Sequence, residues 1–164
     1  MTRLTQSSVD IYLTYQGKYL FLKRSMNKRN DPGKLSPVGG RIEMGEHFAE
    51  AALREVEEET GYVVPPEALR FCGMVTLEGE LSEDWVIGIF VAEVESSEVP
   101  LGLSTDDGEL VWLDPEEVLA RKEEINPDLT YYLEDIFEGK APFFAAFVMG
   151  PAHTIKEVNI TRCI

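Results

Sequence analysis

The chain is poor in positive charge. Lysine and arginine number 15 against 30 aspartates and glutamates, a formal net charge of −15. Phosphate backbones are held by Lys and Arg, so this balance argues against duplex nucleic acid as the main partner. It leaves room for a small nucleotide that carries its own cation. Long apolar runs are also missing, so no membrane partner is expected. Met1 to Asp10 lacks the basic-then-apolar order of a secretory leader. Cysteine is scarce. Cys72 and Cys163 lie far apart, and neither belongs to a metal or redox spacing. A reducing, cytoplasmic setting is the expectation, with Cys72 as a small core residue. Repeats and low-complexity segments are absent. What is there suits one domain over 1–164 with a sizeable core, at 44% hydrophobic and 27% charged residues.

Period-2 alternation predicts a strand over Ser8 to Tyr15, with Val9, Ile11 and Leu13 on one face. Gln16-Gly17 turns it into a second strand over Lys18 to Lys23. Asn27 to Lys34 reads as a loop by its Asn, Asp, Pro and Gly content. Further strands are expected over Leu69 to Leu77, Trp85 to Val94 and Glu109 to Asp114, with a polar loop over Ser96 to Gly108. Asp114-Pro115-Glu116-Glu117 has the form of a helix start. A last helix is predicted over Leu129 to Glu138, ending near Gly139. Phe143 to Met149 and Thr154 to Ile160 read as closing strands, with at least two of Phe143, Phe144 and Phe147 in the core. The pattern predicts a mixed α/β domain in which strands outnumber helices.

The most informative stretch is Gly40 to Tyr62. Glu55, Glu58 and Glu59 stand at i, i+3 and i+4 and emerge as near neighbours on a helix. Like charges so placed repel, and a cation would turn that cost into a site. Carboxylate oxygens suit Mg²⁺, with Mn²⁺ or Ca²⁺ as substitutes. Ala49, Ala52, Leu53 and Val56 form an apolar stripe on the opposite face. Gly61 sits where a C′ glycine ends a helix, and Val38-Gly39-Gly40 lets backbone approach a ligand closely. The competing reading is a solvated acidic face. Arg54 is the one residue of 47 to 60 able to neutralise the acids directly. A second set, Lys18, Lys23, Arg24, Lys28, Arg29, Lys34 and Arg41, leads into this helix. It reads equally as ordinary surface charge or as a wall that attracts phosphate.

Gly40, Glu46, Arg54-Glu55-Val56, Glu58-Glu59 and Gly61, at their spacings, resemble the Nudix box. Tyr62 stands where that family has an aliphatic residue, a packing position. The resemblance implies an α/β/α sandwich around a mixed β-sheet. It also implies hydrolysis of a nucleoside diphosphate linked to some moiety, with Mg²⁺ or Mn²⁺. Glu55, Glu58, Glu59 and the Gly39 carbonyl would be metal ligands. Arg54 would pair with a box glutamate, and Glu46 would be structural. Among the acids before Trp112, Asp107 best fits an added ligand or general base.

The stretch from Ile125 to Ile160 resembles the 8-oxo-dGTP diphosphatases. Asn126-Pro127-Asp128, Tyr131-Tyr132 and Phe143 to Phe147 follow their order. The resemblance implies substrate contacts at Ser36, Arg24, Gly40 and Asp128, with Asp128 on a purine edge. Asp128 reads equally well as the N-cap of the last helix. Leu129, Asn126 and Leu35-Ser36 depart from the animal enzymes, so another purine nucleotide stays open. Alternatives are an ADP-ribose or dinucleotide pyrophosphatase, a non-catalytic nucleotide sensor and an isopentenyl diphosphate isomerase. The isomerase ranks low because neither cysteine neighbours the box.

Overall fold

The computed structural model describes residues 2–140 and 142–163. Thr5–Tyr15 forms β1 and Lys18–Arg24 forms β2, joined by Gln16-Gly17 at positive φ. Alternation in β1 sorts side chains to opposite faces. Val9, Ile11 and Leu13 enter one core and Tyr12 the other. β3 (Leu35–Ser36) pairs with β2, and β4 (Val38–Arg41) runs antiparallel to β1. That register sets Gly39 opposite Asp10 and Gly40 opposite Val9.

The acidic stretch folds as α1, Phe48–Thr60. His47 caps its start, accepting the Glu50 amide through Nδ1 at 3.2 Å while Glu50 accepts the His47 amide. Gly61 ends it at φ 82, donating to the Glu57 carbonyl. A Cβ there would lie 2.9 Å from both Leu101 and Pro100 side chains. The buried stripe is Ala51, Ala52, Val56 and Thr60, with Ala49 and Leu53 packed at its margin.

β5 (Arg70–Gly79), β6 (Asp84–Glu93), β7 (Ser104–Thr105), β8 (Gly108–Leu113), β9 (Phe143–Met149) and β10 (Ile155–Arg162) complete the sheet. Its order is β10-β9-β5-β6-β1-β2-β8-β7, with β1–β6 and β5–β9 parallel and the other pairs antiparallel. α2 (Pro115–Leu119) and α3 (Leu133–Phe137) supply Val118, Leu133 and Ile136 to the face opposite α1. The result is the α/β/α sandwich with a mixed sheet that the sequence implies.

Two local expectations are corrected. β1 begins at Thr5, not Ser8, because β6 offers it a parallel partner out to Asp84. The last helix is broken into a 3₁₀ turn, Pro127–Tyr131, and the short α3. Tyr132 separates them at φ −134, ψ −4, which is not helical. Its ring stacks on Phe143 at 5.0 Å and its hydroxyl donates to Asp128 at 3.0 Å. Those tertiary contacts outweigh helix propensity, which is worth only tenths of a kcal/mol per residue, roughly. Phe143 and Phe147 are core, while Phe144 is half exposed. Both cysteines are free, with Cys72 buried. Among the described residues, no helix is long and apolar enough to cross a membrane.

Phe143 thus ties Tyr132, the break before α3, to β9. Phe143→Ala is expected to cost about 3–5 kcal/mol, the range for deleting a buried aromatic. Urea denaturation at neutral pH checks it, and a loss below about 1 kcal/mol would contradict this packing.

Candidate active site

Arg54 organises the acidic cluster. Its Nε and Nη2 donate to the two Glu46 carboxylate oxygens at 2.6 and 2.9 Å. Nη1 donates to Glu55 at 2.8 Å and to Glu58 at 3.2 Å, and Nη2 also reaches the Arg41 carbonyl at 3.1 Å. The Arg54 side chain is only 20% exposed, so this is no loose surface pair. Glu46 and Glu55 hold Arg54 well above its usual pKa. Conversely, the Arg54 bonds, with the Glu43 amide, hold Glu46 down to about 2. Glu46 therefore closes the loop before α1, as expected of a structural residue.

Glu55 lies against the glycine pair. A Cβ on Gly40 would overlap its carboxylate, and one on Gly39 would overlap the Val9 carbonyl. Gly40 thus makes room for Glu55. Glu59 sits beside Glu55 and is partly buried, not exposed as an acidic outer face would place it. Burial pushes Glu59 up to about 8, the Glu55 charge adds to this, and a bond with the Gly39 backbone opposes it. Glu58 is the exposed member, at 59%. Asp107 is close enough to raise Glu59 slightly and pairs with Lys28 at 2.9 Å.

All donors around Gly39-Gly40 are oxygens, which fits Mg²⁺ or Mn²⁺. The cradle exists because neither glycine carries a Cβ. Among the described residues, no three acids already converge at ligand spacing. Arg54 draws Glu46, Glu55 and Glu58 toward itself, and a cation would have to share them.

Beside this cluster, on the sheet face opposite α1, lies a cavity of about 550 Å³. Ser36 and Asp128 line it, as do Asp10, Trp85, Leu129 and Arg29. Asp128 is 5% exposed and lies inside the 3₁₀ turn, which Asn126 precedes, so it does not cap the helix expected there. Burial pushes Asp128 up to about 6, against the pull of the Tyr132 hydroxyl. Burial pushes Asp10 up to about 7, with Asp128 adding to the effect. Asp10 escapes notice in the sequence. The signal was available: in a strand alternating cleanly, Asp10 shares a face with core Tyr12, an expensive place for a charge.

The basic residues do not form one wall. Arg24 donates to the Asn30 carbonyl at 3.0 Å and does not line the cavity. Lys23 pairs with Glu124, Lys34 donates to the Glu123 carbonyl and Arg41 lies over the Trp85 ring. Nearby partners take up charges that the linear order leaves side by side. Cys72 is buried in the opposite core, away from the Arg54 network.

A model of the NUDIX domain matches residues 4–135. An uncharacterised Nudix hydrolase of Yersinia pestis is 37% identical over 114 residues, covering 68% of this chain and 59% of the relative. The chain therefore spans somewhat less than two thirds of that relative's length. A MutT protein structure from Methanosarcina mazei is 29% identical with TM-score 0.65, covering 85% of this chain and 94% of that one. A mutator MutT protein structure from Bacillus halodurans has TM-score 0.79 at 19% identity, covering 94% and 97%.

The perturbed acids set a pH dependence. Asp128, Asp10 and Glu59 titrate near 6, 7 and 8 when folded, against 3.8 for the aspartates and 4.5 for the glutamate as reference values. Their raised values stabilise the fold below the unfolded pKa and lose that contribution as pH rises through the folded values. Glu46 acts oppositely, losing its contribution below about 4.5 toward 2. In EDTA, denaturant midpoints are expected to fall from pH 5.5 to pH 8.5. A midpoint that rises over that range would refute these assignments.

Proposed function

Because this chain belongs to the Nudix hydrolase family, we propose that its 1–164 domain hydrolyses a phosphoanhydride bond in a nucleoside diphosphate derivative, with a divalent cation. The observation that carries the reading is the Glu55–Glu59 pair against Gly39-Gly40, aimed by Arg54 and adjoining a cavity of about 550 Å³. The cation is Mg²⁺, with Mn²⁺ as a substitute. Glu55, Glu58, Glu59 and the Gly39 carbonyl would hold it. When bound, it neutralises charge developing on the phosphoryl oxygens and lowers the pKa of bound water.

The chain's own residues do the rest. Arg54 fixes the Glu55 and Glu58 rotamers, as groups behind a metal ligand do. Asp107, beside Glu59, is the candidate to receive the proton of the attacking water. Ser36 and Asp128 contact the base, and Gly40 keeps the approach to the phosphates clear. The substrate is a purine nucleoside triphosphate, with 8-oxo-dGTP the leading candidate, cleaved to monophosphate and pyrophosphate. Glu58→Gln and Glu59→Gln are each expected to lower turnover by roughly two orders of magnitude, the effect of losing a charged ligand worth several kcal/mol. Steady-state kinetics at saturating Mg²⁺ check this, and near-normal turnover in both variants would end the metal-site reading.

A nucleotide panel with identified products tests the substrate. Asp128→Asn should lower kcat/KM for the preferred purine by about 1–3 kcal/mol and leave pyrimidines nearly unchanged. Equal slowing of both would remove Asp128 from base contact. ADP-ribose or a dinucleotide outrunning every triphosphate would replace 8-oxo-dGTP and leave the hydrolase reading standing.

A further inference from the structure

Asp10 is the one charged side chain on this cavity that comes from the sheet interior strand β1. It sits across the space from Asp128, which comes from the 3₁₀ turn. Among the described residues, neither carboxyl has an ion-pair partner. Asp128 accepts the Tyr132 hydroxyl and backbone bonds at Asp128 and Leu129. Asp10 accepts none from any described side chain, and the neighbouring Tyr12 hydroxyl is buried without a partner. The Asp10 carboxyl oxygens in such a setting are costly unless donors reach them. Asp31 and Glu80 also line the cavity, against Arg29 and His153. Glu80 is paired with Lys156, and the cation reading above places the phosphates of a nucleotide toward the glycine pair.

Leu35, Ile87, Leu129 and Trp85 give the cavity apolar wall, and Asn30 and Asn126 give it polar wall. Such walls accept a flat ring, and the two acids accept hydrogen bonds from its edge. Among the common bases, guanine offers adjacent ring and amino N–H donors beside a carbonyl acceptor. Adenine and cytosine place a ring acceptor next to the amino group, which would face a carboxyl lone pair. Thymine and uracil offer one N–H between two carbonyls. The Ser36 hydroxyl can donate to the guanine carbonyl. The distance also fits: Gly39 pairs with Asp10 across β1–β4. Ser36 and Gly39 are at most roughly 10 Å apart along the chain, about the reach of a sugar between base and phosphates.

We infer that Asp10, acting with Asp128, selects a ring edge with adjacent N–H donors, the guanine type, and that Asp10 is a specificity-determining residue of this cavity. The inference deepens the nucleotide reading above and rests on it. Its test needs no turnover. In EDTA, calorimetry compares dGMP with dIMP, which differ only in the exocyclic amino group. At about pH 8, where both carboxyls are ionised, the intact protein should bind dGMP about tenfold tighter, the scale of one bond to a charged acceptor. Asp10→Asn should bring that ratio close to one. Asp10→Ser serves if Asn disturbs folding, with thermal melts as the control. Equal affinities in the unmodified protein, or a folded Asp10 variant that keeps the ratio, would overturn the inference. Hydrolysis of the nucleotide panel is scored separately. Discrimination without any hydrolysis would keep the Asp10 assignment and remove the catalytic reading. Hydrolysis without discrimination would do the reverse.

Discussion

One guanidinium ties three parts of the chain to a point. Arg54 joins the Glu46 loop, the Arg41 end of β4 and the acids of α1. Without it, Glu46, Glu55 and Glu58 would repel one another in a region that is partly desolvated. Its fork geometry matches a carboxylate with two parallel bonds, which Lys could not supply. Removing one partner from such a network leaves the others unpaired, so the group is held together more tightly than any single pair suggests. The placement of Glu55 over Gly40 follows from this tether, and the proposed cation site depends on it.

The cluster and the cavity divide the site by chemistry. At the glycine pair, carboxylates gather where a cation and phosphates can be accommodated together. On the other face of the sheet, Asp10 and Asp128 line a slot of mixed polar and apolar walls. Strand β4 connects the two, because its short run carries Gly39 and Gly40 and its neighbour β3 carries Ser36. A ligand with one polar charged end and one flat hydrogen-bonding end matches both halves. The strong negative charge of the chain is compatible with this, since a cation would convert the phosphate end into a neutralised one.

Local pattern made much of this legible. The i, i+3, i+4 spacing of Glu55, Glu58 and Glu59, the glycines around them and the C′ position of Gly61 are properties of contiguous residues. β-alternation in Val9, Ile11 and Leu13 and the turn at Gln16-Gly17 are equally local. The fate of the basic residues was not legible. Lys23 and Lys34 meet partners near Glu124 and Glu123, about a hundred positions away in sequence, and only the folded chain brings them together. The break in the last helix belongs to the same class. Nothing in Leu129 to Glu138 forbids a continuous helix, but the stacking of Tyr132 on Phe143 does.

By itself the sequence determined the order of strands and helices, the acidic face of α1 and the resemblance to the Nudix family, because each depends on neighbours within a few turns of chain. Only the tertiary structure decided which acids are buried. Glu59 and Asp128 lose their solvent because other elements cover them, and Asp10 faces Asp128 because β1 and a turn more than a hundred residues later share one cavity. Burial and long-range charge proximity are properties of the assembled fold, and they set the chemistry of this site.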